Sequence, residues 1–426
     1  MSGGTAAPRL PAFALFGAML AAAGLPLYIH APKFFVDEYG VSLAALGTVL
    51  GVLRLLDFVQ DPLLGRVAAM TRRYRRATVL VAGAAMVAGM LGLFAVTPML
   101  PPLWWFAVML TLVFTAFSYL TICFYAQGVA VAGQIGGGGH LRVARWRETG
   151  ALLGICAAAV APVALGGYGA FAVAFAGLAL VALWAMGREW RGTAGQQDAT
   201  SQIGAVLRDA LARRLLLVAL ANSAPVAVSS TLFLFYVEDR LGAPGWEGPL
   251  LLVFFLSAAG AAPVWGRLAE AHGARRVLIG AMVLAIAAFG FAAMLGAGDI
   301  WPFAVICVVT GVALGADMTV LPALFASRMA EVSPGAAEGF SLWSFVSKIT
   351  LAGAAVGLLP VLESAGYAPG ADNSEAALWT LALLYGAVPC VLKLAAIALL
   401  ARLPEGGGAM KAAGSAPGRG HAARDG

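Results

Sequence analysis

The chain has 426 residues, of which 61% are hydrophobic and only 11% are charged, and its mean hydropathy is +0.88. A water-soluble globular domain carries about 25% charged residues, so this composition excludes that class and indicates an integral membrane protein. Because one helical span needs about 20 apolar residues, the chain has room for about a dozen spans.

Twelve apolar stretches follow one another along the chain. Their length and continuous apolar character predict transmembrane helices and exclude the alternating strands of a barrel. The predicted spans are 11–35, 42–68, 77–98, 102–130, 143–166, 169–187, 214–237, 247–270, 277–297, 301–328, 340–362 and 376–402. The first apolar run continues past the point where a secretory signal would be cleaved, so we expect it to remain as a span.

The longest polar stretch between spans divides the chain into two halves. We predict an N-terminal six-helix bundle at 1–187, a cytoplasmic middle loop at 188–213, a C-terminal six-helix bundle at 214–402 and a disordered cytoplasmic tail at 403–426. The two halves contain similar segments at matching positions, "GRVAAMTRRYRRATVL" at 65–80 and "GRLAEAHGARRVLIGA" at 266–281. This weak duplication predicts two parallel repeats around a central pathway.

Basic residues are distributed unequally between alternate loops. If the amino terminus is cytoplasmic, the opposite face carries only Lys33 and Arg240. The cytoplasmic loops then carry Arg72, Arg73, Arg75, Arg76, Arg142, Arg145, Arg188, Arg191, Arg208, Arg213, Arg275 and Arg276. This pattern predicts that both termini are cytoplasmic in a multi-pass protein of the cell membrane, which is the inner membrane in a Gram-negative cell. The net charge of +6 therefore reflects topology and does not indicate a nucleic-acid partner.

The second span carries three charges in "RLLDFVQDPLLGR", residues 54–66. Arg54, Asp57 and Asp61 are spaced i, i+3 and i+7, so they lie on one stripe of a helix. Each would cost about 2.5 to 3.5 kcal/mol at the centre of a lipid-facing helix, so we expect the stripe to face the interior. Two carboxylates about 6 Å apart repel each other and favour binding of a cation, either a proton or sodium. Two other interpretations stay open: Arg54 neutralises Asp57 as a packing device, or Asp61 marks the helix boundary before Pro62.

Neutral oxygens that could complete a sodium site are those of Gln60, Ser118 and Thr121. Lys348, in the middle of span eleven, could reach the Asp pair across the central cavity or extend its amine to the membrane interface.

Other polar residues in or beside the spans have less certain roles. For Asp317 in span ten, the sequence leaves open whether the carboxylate lines the cavity. We expect Lys393 to be peripheral. Arg147 and Glu148 open span five, where they could reach the cavity or form a loop salt bridge. The four cysteines lie inside spans, and we expect them to pack as small apolar side chains.

Three segments carry a resemblance to a known family. They are "DEYGVSLAALGTVLGVLRLLDFVQDPLLGR" at 37–66, "EGFSLWSFVSKITLA" at 338–352 and "RWRE" at 145–148. With these segments the chain resembles the major facilitator superfamily and, within it, the glycoside-pentoside-hexuronide cation symporters, the melibiose permease-like family. The resemblance implies an all-α integral membrane fold of twelve helices in two pseudo-symmetric six-helix bundles. It also implies a coupling cation at Asp57 and Asp61, with Lys348 near the cation and substrate region.

The chain departs from that family where melibiose permease binds sugar. Aligned on the Asp motif, Ala21 and Thr121 stand in place of two sugar-binding Asp residues, and Tyr125 stands in place of a stacking Trp. The residues that we expect to take part in substrate binding or coupling are Arg54, Tyr28, Tyr125, Arg147, Asp317 and Lys348, and of these Tyr28, Tyr125, Arg147 and Lys348 would line a cavity. Such a cavity suits an anionic or amphiphilic solute at least as well as a neutral sugar, and both stay open.

The sequence therefore predicts a secondary active transporter. We expect cation-coupled symport, with a proton or sodium, of a small organic solute: a sugar, a sugar acid or an amphiphilic anion. A proton-coupled exporter and a non-transporting assembly or sensing protein are the alternatives. No phosphate-binding loop or catalytic constellation is present, so we expect no enzyme activity, no cofactor and no metal beyond sodium. Apart from its solute and the bilayer we expect no partner, and we expect a monomer.

Overall fold

The computed structural model describes residues 8–191, 203–332, 336–368 and 372–403, and within them the chain is helical with no strand. The predicted tail after 403 and residues 192–202 of the middle loop lie outside this part. The first half contains α1 (Leu10–Ala22), α2 (Leu25–Tyr39), α3 (Leu43–Met70), α4 (Arg75–Phe94), α5 (Pro102–Ile135), α6 (Gly139–Ala164) and α7 (Tyr168–Met186). The second half contains α8 (Ile203–Arg208), α9 (Ala210–Phe235), α10 (Glu247–His272), α11 (Ala274–Ala292), α12 (Ile300–Val332), α13 (Ala337–Ser364) and α14 (Glu375–Ala401).

The predicted spans correspond to the long helices, and the twelve-helix fold is confirmed. Ten helical stretches among the described residues are long and apolar enough to cross a membrane. The first two predicted spans are not among these ten, and each has a physical reason. The first is interrupted at Ala23 and Gly24, which separate α1 from α2, and the second, α3, carries the charged stripe. Because α3 continues through Pro62 to Met70, Asp61 is inside a helix, and its interpretation as a helix boundary is wrong.

Glycines bring one pair of helices in each half into backbone contact. A Cβ on Gly150 of α6 would lie 2.0 Å from the carbonyl oxygen of Ala14 in α1, and one on Gly154 would lie 2.3 Å from that of Ala18. In the second half, Gly311 and Gly315 of α12 contact α10 in the same way, with distances of 2.3 and 2.8 Å to the carbonyl oxygens of Phe254 and Ala258. Glycines four residues apart permit this approach where no hydrophobic force drives helices together.

The two halves meet at the end of the bundle that carries Arg72, Arg73, Arg75, Arg76, Arg275 and Arg276, here called the basic end. There Glu270 at the end of α10 lies 3.8 Å from both Arg142 and Arg145 of α6. Gly65 of α3 packs so closely on α13 that a Cβ would lie 2.3 Å from Ser341 Oγ.

Toward the opposite end the same two helices have open space around their glycines. A Cβ on Gly47 or Gly51 of α3, or on Gly353 or Gly357 of α13, would have no atom within 4 Å beyond its own helix backbone and chain neighbours. The ion pairs of Glu270 with Arg142 and Arg145 join the halves at the basic end, and those of Lys348 with Asp57 and Asp61 join them farther along α3.

Candidate functional site

The buried centre of the molecule contains two carboxylates from one half and an amine from the other. Asp57 and Asp61, one turn apart on α3, are 9% and 0% exposed. Lys348 Nζ of α13 lies 2.8 Å from Asp57 Oδ1 and 3.0 Å from Asp61 Oδ1. Ser118 Oγ of α5 donates to Asp57 Oδ1 at 2.9 Å and accepts from Lys348 Nζ at 2.8 Å. The Lys348 ammonium therefore occupies the position between the carboxylates that a bound cation would take.

A chain of two hydrogen bonds, through Gln60 and Thr115, holds the Asp57 carboxylate in place. Gln60 Nε2 donates to Asp57 Oδ1 at 3.3 Å, and Thr115 Oγ1 of α5 donates to Gln60 Oε1 at 3.1 Å. Asp57 Oδ1 thus accepts from Ser118 and Gln60 as well as contacting Lys348. Asp61 Oδ2, in contrast, is buried and has no hydrogen-bond partner of normal geometry among the described residues, and the Ser344 hydroxyl of α13 lies near this carboxylate.

A second cluster lies two turns farther along α5, about 10 Å toward the basic end. The Arg147 guanidinium of α6 lies 3.7 Å from the ring centroid of Tyr125, and its Nε donates to Glu148 Oε1 at 2.7 Å. Tyr125 Oη donates to the same carboxylate oxygen at 3.0 Å, and Phe340 of the opposite half packs on the Tyr125 ring at 4.9 Å. Arg147 and Glu148 are 3% and 2% exposed, so they form a salt bridge that is buried in the bundle and not one in a loop.

A third cluster lies entirely inside the second half and corrects the placement of Lys393. This residue is 2% exposed and donates to Asp317 Oδ2 of α12 and, at 2.6 Å, to Asn222 Oδ1 of α9. The expectation that Lys393 is peripheral is wrong, because an isolated carboxylate inside the same bundle pairs with it. Asp317 Oδ1 remains buried without a hydrogen bond among the described residues.

The structure thus joins some of the predicted site residues and separates others. Asp57, Gln60, Asp61, Ser118 and Lys348 form one site, whereas Tyr125 with Arg147, and Asp317, belong to separate clusters. Thr121 Oγ1 is buried with no hydrogen-bond partner among the described residues. The side chains of Tyr28 and Arg54 lie outside the part of the chain that the structure describes.

Several contributing residues were not found from the sequence. Thr115 and Asn222 are polar groups in apolar helices, a weak signal that becomes meaningful only beside a charge. Arg75, counted above as a loop residue, is buried and donates to Ala68 O at 2.7 Å and to Cys123 Sγ at 2.6 Å. The four cysteines are free, and the described residues contain no cluster of three or more His, Cys, Asp or Glu that could hold a metal ion.

Comparisons with known proteins agree with this architecture. A family model described as MFS/sugar transport protein matches residues 11–405. Among curated proteins, none matches the sequence. The fold is similar to that of a bacterial homologue of the iron transporter ferroportin, with a TM-score of 0.69 at 14% identity over 93% of this chain and 100% of that one.

Two further solved structures share the fold. The E. coli fucose:proton symporter FucP aligns with a TM-score of 0.63 at 12% identity, covering 91% of this chain and 98% of the other. The human organic anion transporter TETRAN aligns with a TM-score of 0.60 at 17% identity, covering 92% and 98%. The fold and the matched model define a multi-pass membrane transporter of the major facilitator superfamily. The chain belongs to its MFS/sugar transport protein family, the melibiose permease-like family, which consists of transporters and not enzymes.

Proposed function

We propose that this chain is a cation-coupled symporter of a small organic solute and that Asp57, Asp61 and Lys348 form its coupling site. The observation that carries the proposal is the bridge that Lys348 of one half makes to both carboxylates of the other. Two carboxylates and one ammonium leave a net charge of −1 among these three groups. A single monovalent cation neutralises that remainder, and Asp61 Oδ2 has a free acceptor position for it.

Neutralising Asp61 also weakens a contact that ties the halves together. Two unit charges about 4 Å apart attract each other by about 4 kcal/mol at an effective dielectric constant of about 20, before desolvation is subtracted. Moving a two-state equilibrium from 1:99 to 99:1 takes about 5.5 kcal/mol. The attraction between Lys348 and Asp61 is of the same order, so weakening it is enough to shift which face is open. Lys348 therefore joins the halves when the site is empty, and cation binding weakens that contact and shifts the balance between the two open faces.

The solute is proposed to bind near Tyr125 and Arg147, where the two halves meet at Phe340. Arg147 Nη2 is buried and makes no hydrogen bond to the described residues, so it can donate to an acidic or hydroxyl oxygen of a solute. This favours a sugar acid or an amphiphilic anion, while a neutral sugar remains a candidate of the same class. The coupling ion is a proton or sodium, because a proton needs only the open carboxylate oxygen and sodium could add the oxygens of Ser118 and Gln60.

The test is transport by purified protein in liposomes. Galactosides, hexuronates and lysophospholipid anions are screened for uptake under an imposed proton gradient, sodium gradient or neither. We expect Asp57→Asn and Asp61→Asn to reduce gradient-driven uptake at least tenfold, because each removes one charge that the cation must balance. Asp372→Asn, which changes an exposed carboxylate in the loop between α13 and α14, should leave uptake unchanged.

Each other outcome has a defined meaning. Uptake that depends on a gradient but is unaffected by both Asn substitutions would refute the coupling site. Solute movement only against the direction of the proton gradient would identify an exporter. A folded protein that moves none of the solutes under either gradient would favour the non-transporting alternative.

A further inference from the structure

An apolar groove runs along the outer surface of the first half between α3 and α4. Its volume is about 360 Å³, and α5 forms its floor. Its lining residues are Leu64, Val67, Thr71, Ala77, Thr78, Val81, Ala82, Ala85, Leu112, Thr115, Ala116 and Tyr119. Val81 and Val67 are 70% and 43% exposed, so the groove opens sideways to the surroundings of the bundle and not into its centre.

The polar groups at the basic end of the groove are already satisfied. Tyr119 Oη donates to Thr78 Oγ1 at 2.7 Å and lies 2.9 Å from Thr71 Oγ1, which donates to Val67 O at 2.7 Å. Because these hydroxyls bond to one another, the wall they form offers no unmet hydrogen-bonding group. The groove therefore suits a hydrocarbon chain and not a polar solute.

The length of the groove matches one leaflet. Its lining on α4 extends from Ala77 to Ala85, which is about 12 Å along the helix axis. Half of a bilayer's hydrocarbon core is about 15 Å thick. The groove therefore spans most of one leaflet, beginning at the basic end and stopping near the middle of the membrane.

Exposed cationic and aromatic residues lie at the mouth of the groove. Arg73 and Tyr74 lie in the short 3-10 helix at Arg72–Tyr74, which joins Thr71 to α4, and Thr71 and Ala77 both line the groove at the basic end. Arg73 is exposed, and its guanidinium lies 5.9 Å from the Tyr74 ring centroid. Arg76 is also exposed, but α-helical geometry places it on the side of α4 opposite Ala77, Thr78 and Val81. Arginines at a membrane surface attract anionic lipid headgroups, and an exposed Tyr is typical of the headgroup level.

We propose that this groove binds an anionic phospholipid of the leaflet at the basic end, with one acyl chain between α3 and α4 and its phosphate at Arg73. The charge at the mouth selects the headgroup, and the apolar groove holds the chain. Arg75, which lies between Arg73 and Arg76 in the sequence, does not take part, because it is buried and donates hydrogen bonds to Ala68 and Cys123.

A second surface groove provides a matched control. It lies between α11 and α12, has a volume of about 450 Å³ and is lined by Leu284, Ala287, Ala288, Phe291, Leu295, Pro302, Val305, Ile306 and Val309. No arginine or lysine is among these residues. It should accept acyl chains without selecting a headgroup.

The proposal can be tested by native mass spectrometry of the delipidated full chain, titrated with phosphatidylglycerol or phosphatidylcholine of identical acyl chains. We expect about fivefold tighter binding of the anionic lipid by the wild type, because one arginine near the membrane surface contributes about 1 kcal/mol. Arg73→Gln should lose this preference while still binding phosphatidylcholine, whereas Arg76→Gln, on the opposite side of α4, should keep it. Ala82→Trp, which fills the groove, should lose the high-affinity anionic lipid, whereas Ala287→Trp in the control groove should keep it.

Two results would overturn the assignment. If Arg73→Gln retains the preference for phosphatidylglycerol, Arg73 does not hold the headgroup. If Ala82→Trp, with a melting temperature like that of the wild type, binds the anionic lipid as tightly as the wild type, the chain does not lie in this groove. Arg73→Gln changes only an exposed side chain, so it remains informative even if Ala82→Trp fails to fold.

Discussion

Lys348 and Lys393 both lie within the helix bundle, but their partners give them different roles. Lys348 contacts two carboxylates of the opposite half, and 22% of its side chain is exposed. Lys393 contacts one carboxylate and one amide of its own half, and 3% of its side chain is exposed. An ion pair within one half keeps its partners when the halves move, so Lys393 and Asp317 stabilise that half, whereas Lys348 lies where relative motion changes its contacts.

The Lys393 pair makes a prediction about stability. Lys393→Met should lower the free energy of unfolding by about 3 to 5 kcal/mol, because it leaves the Asp317 carboxylate buried without its counter-charge. The double variant Lys393→Met/Asp317→Asn should recover much of that loss, since no uncompensated charge remains. Thermal melting of the purified single and double variants measures both effects. A double variant no more stable than Lys393→Met alone would contradict the pairing.

At the residue scale, sequence spacing was enough to place Asp57 and Asp61 on one stripe, because i, i+4 geometry is local to a helix. It could not choose between Ser118 and Thr121, which are three residues apart on α5, because only the rotation of α5 against α3 decides which hydroxyl meets Asp57. Lys393 was misplaced for a related reason. A lysine near the middle of a predicted span can reach an interface or a buried partner equally well, and its partner lies 76 residues away in sequence.

At the scale of helices, the contact between α1 and α6 depends on glycine. Gly150→Ala should lower the free energy of unfolding by about 1 to 3 kcal/mol, because the added methyl would meet the carbonyl oxygen of Ala14 at 2.0 Å and the helices must separate. Gly177→Ala in α7 is the matched control, since its Cβ meets nothing within 4 Å. It should be neutral or slightly stabilising, because alanine favours helix. Equal melting temperatures for the two variants would show that the close approach is unimportant.

At this scale the sequence predicted that the helices exist, but not where a helix is interrupted or where it continues. The lengths of the apolar runs identified the spans, because the thickness of the bilayer sets a minimum length for each span. The first span reads as a single apolar run, although "AAAGLPLY" at 21–28 contains a glycine and a proline where the structure interrupts the helix. Conversely, Pro62 suggested an end to α3 that does not occur, because packing against α5 and α13 carries the helix onward.

At the scale of the whole molecule, the halves are joined at the basic end by contacts that can be weakened. Glu270→Lys should favour separation there, because it places a cation beside Arg142 and Arg145 where an anion now lies. Each lost surface ion pair contributes about 0.2 to 1 kcal/mol, so losing both should raise accessibility by about two- to thirtyfold. The measurement is the labelling rate of Ser341→Cys by a thiol reagent in a variant without the native cysteines.

Glu331→Lys is the control for that experiment, because Glu331 bonds to Arg328 within the second half. It should leave the labelling of Ser341→Cys unchanged. If Glu270→Lys also leaves the rate unchanged, the Glu270 contacts do not hold the basic end closed. The predicted boundaries at 187, 213 and 402, and the cytoplasmic position of both termini, remain predictions.

The interruption at Ala23 and Gly24 divides the first span into two helices that contact different neighbours. α1 is fixed to α6 by the glycine contacts, while α2 begins after the break and carries Phe34 and Phe35 among the aromatic rings of Phe94, Phe106 and Tyr168. The two parts of the first span are therefore held by different neighbours, so a displacement of α2 relative to α1 would not require α1 to leave α6.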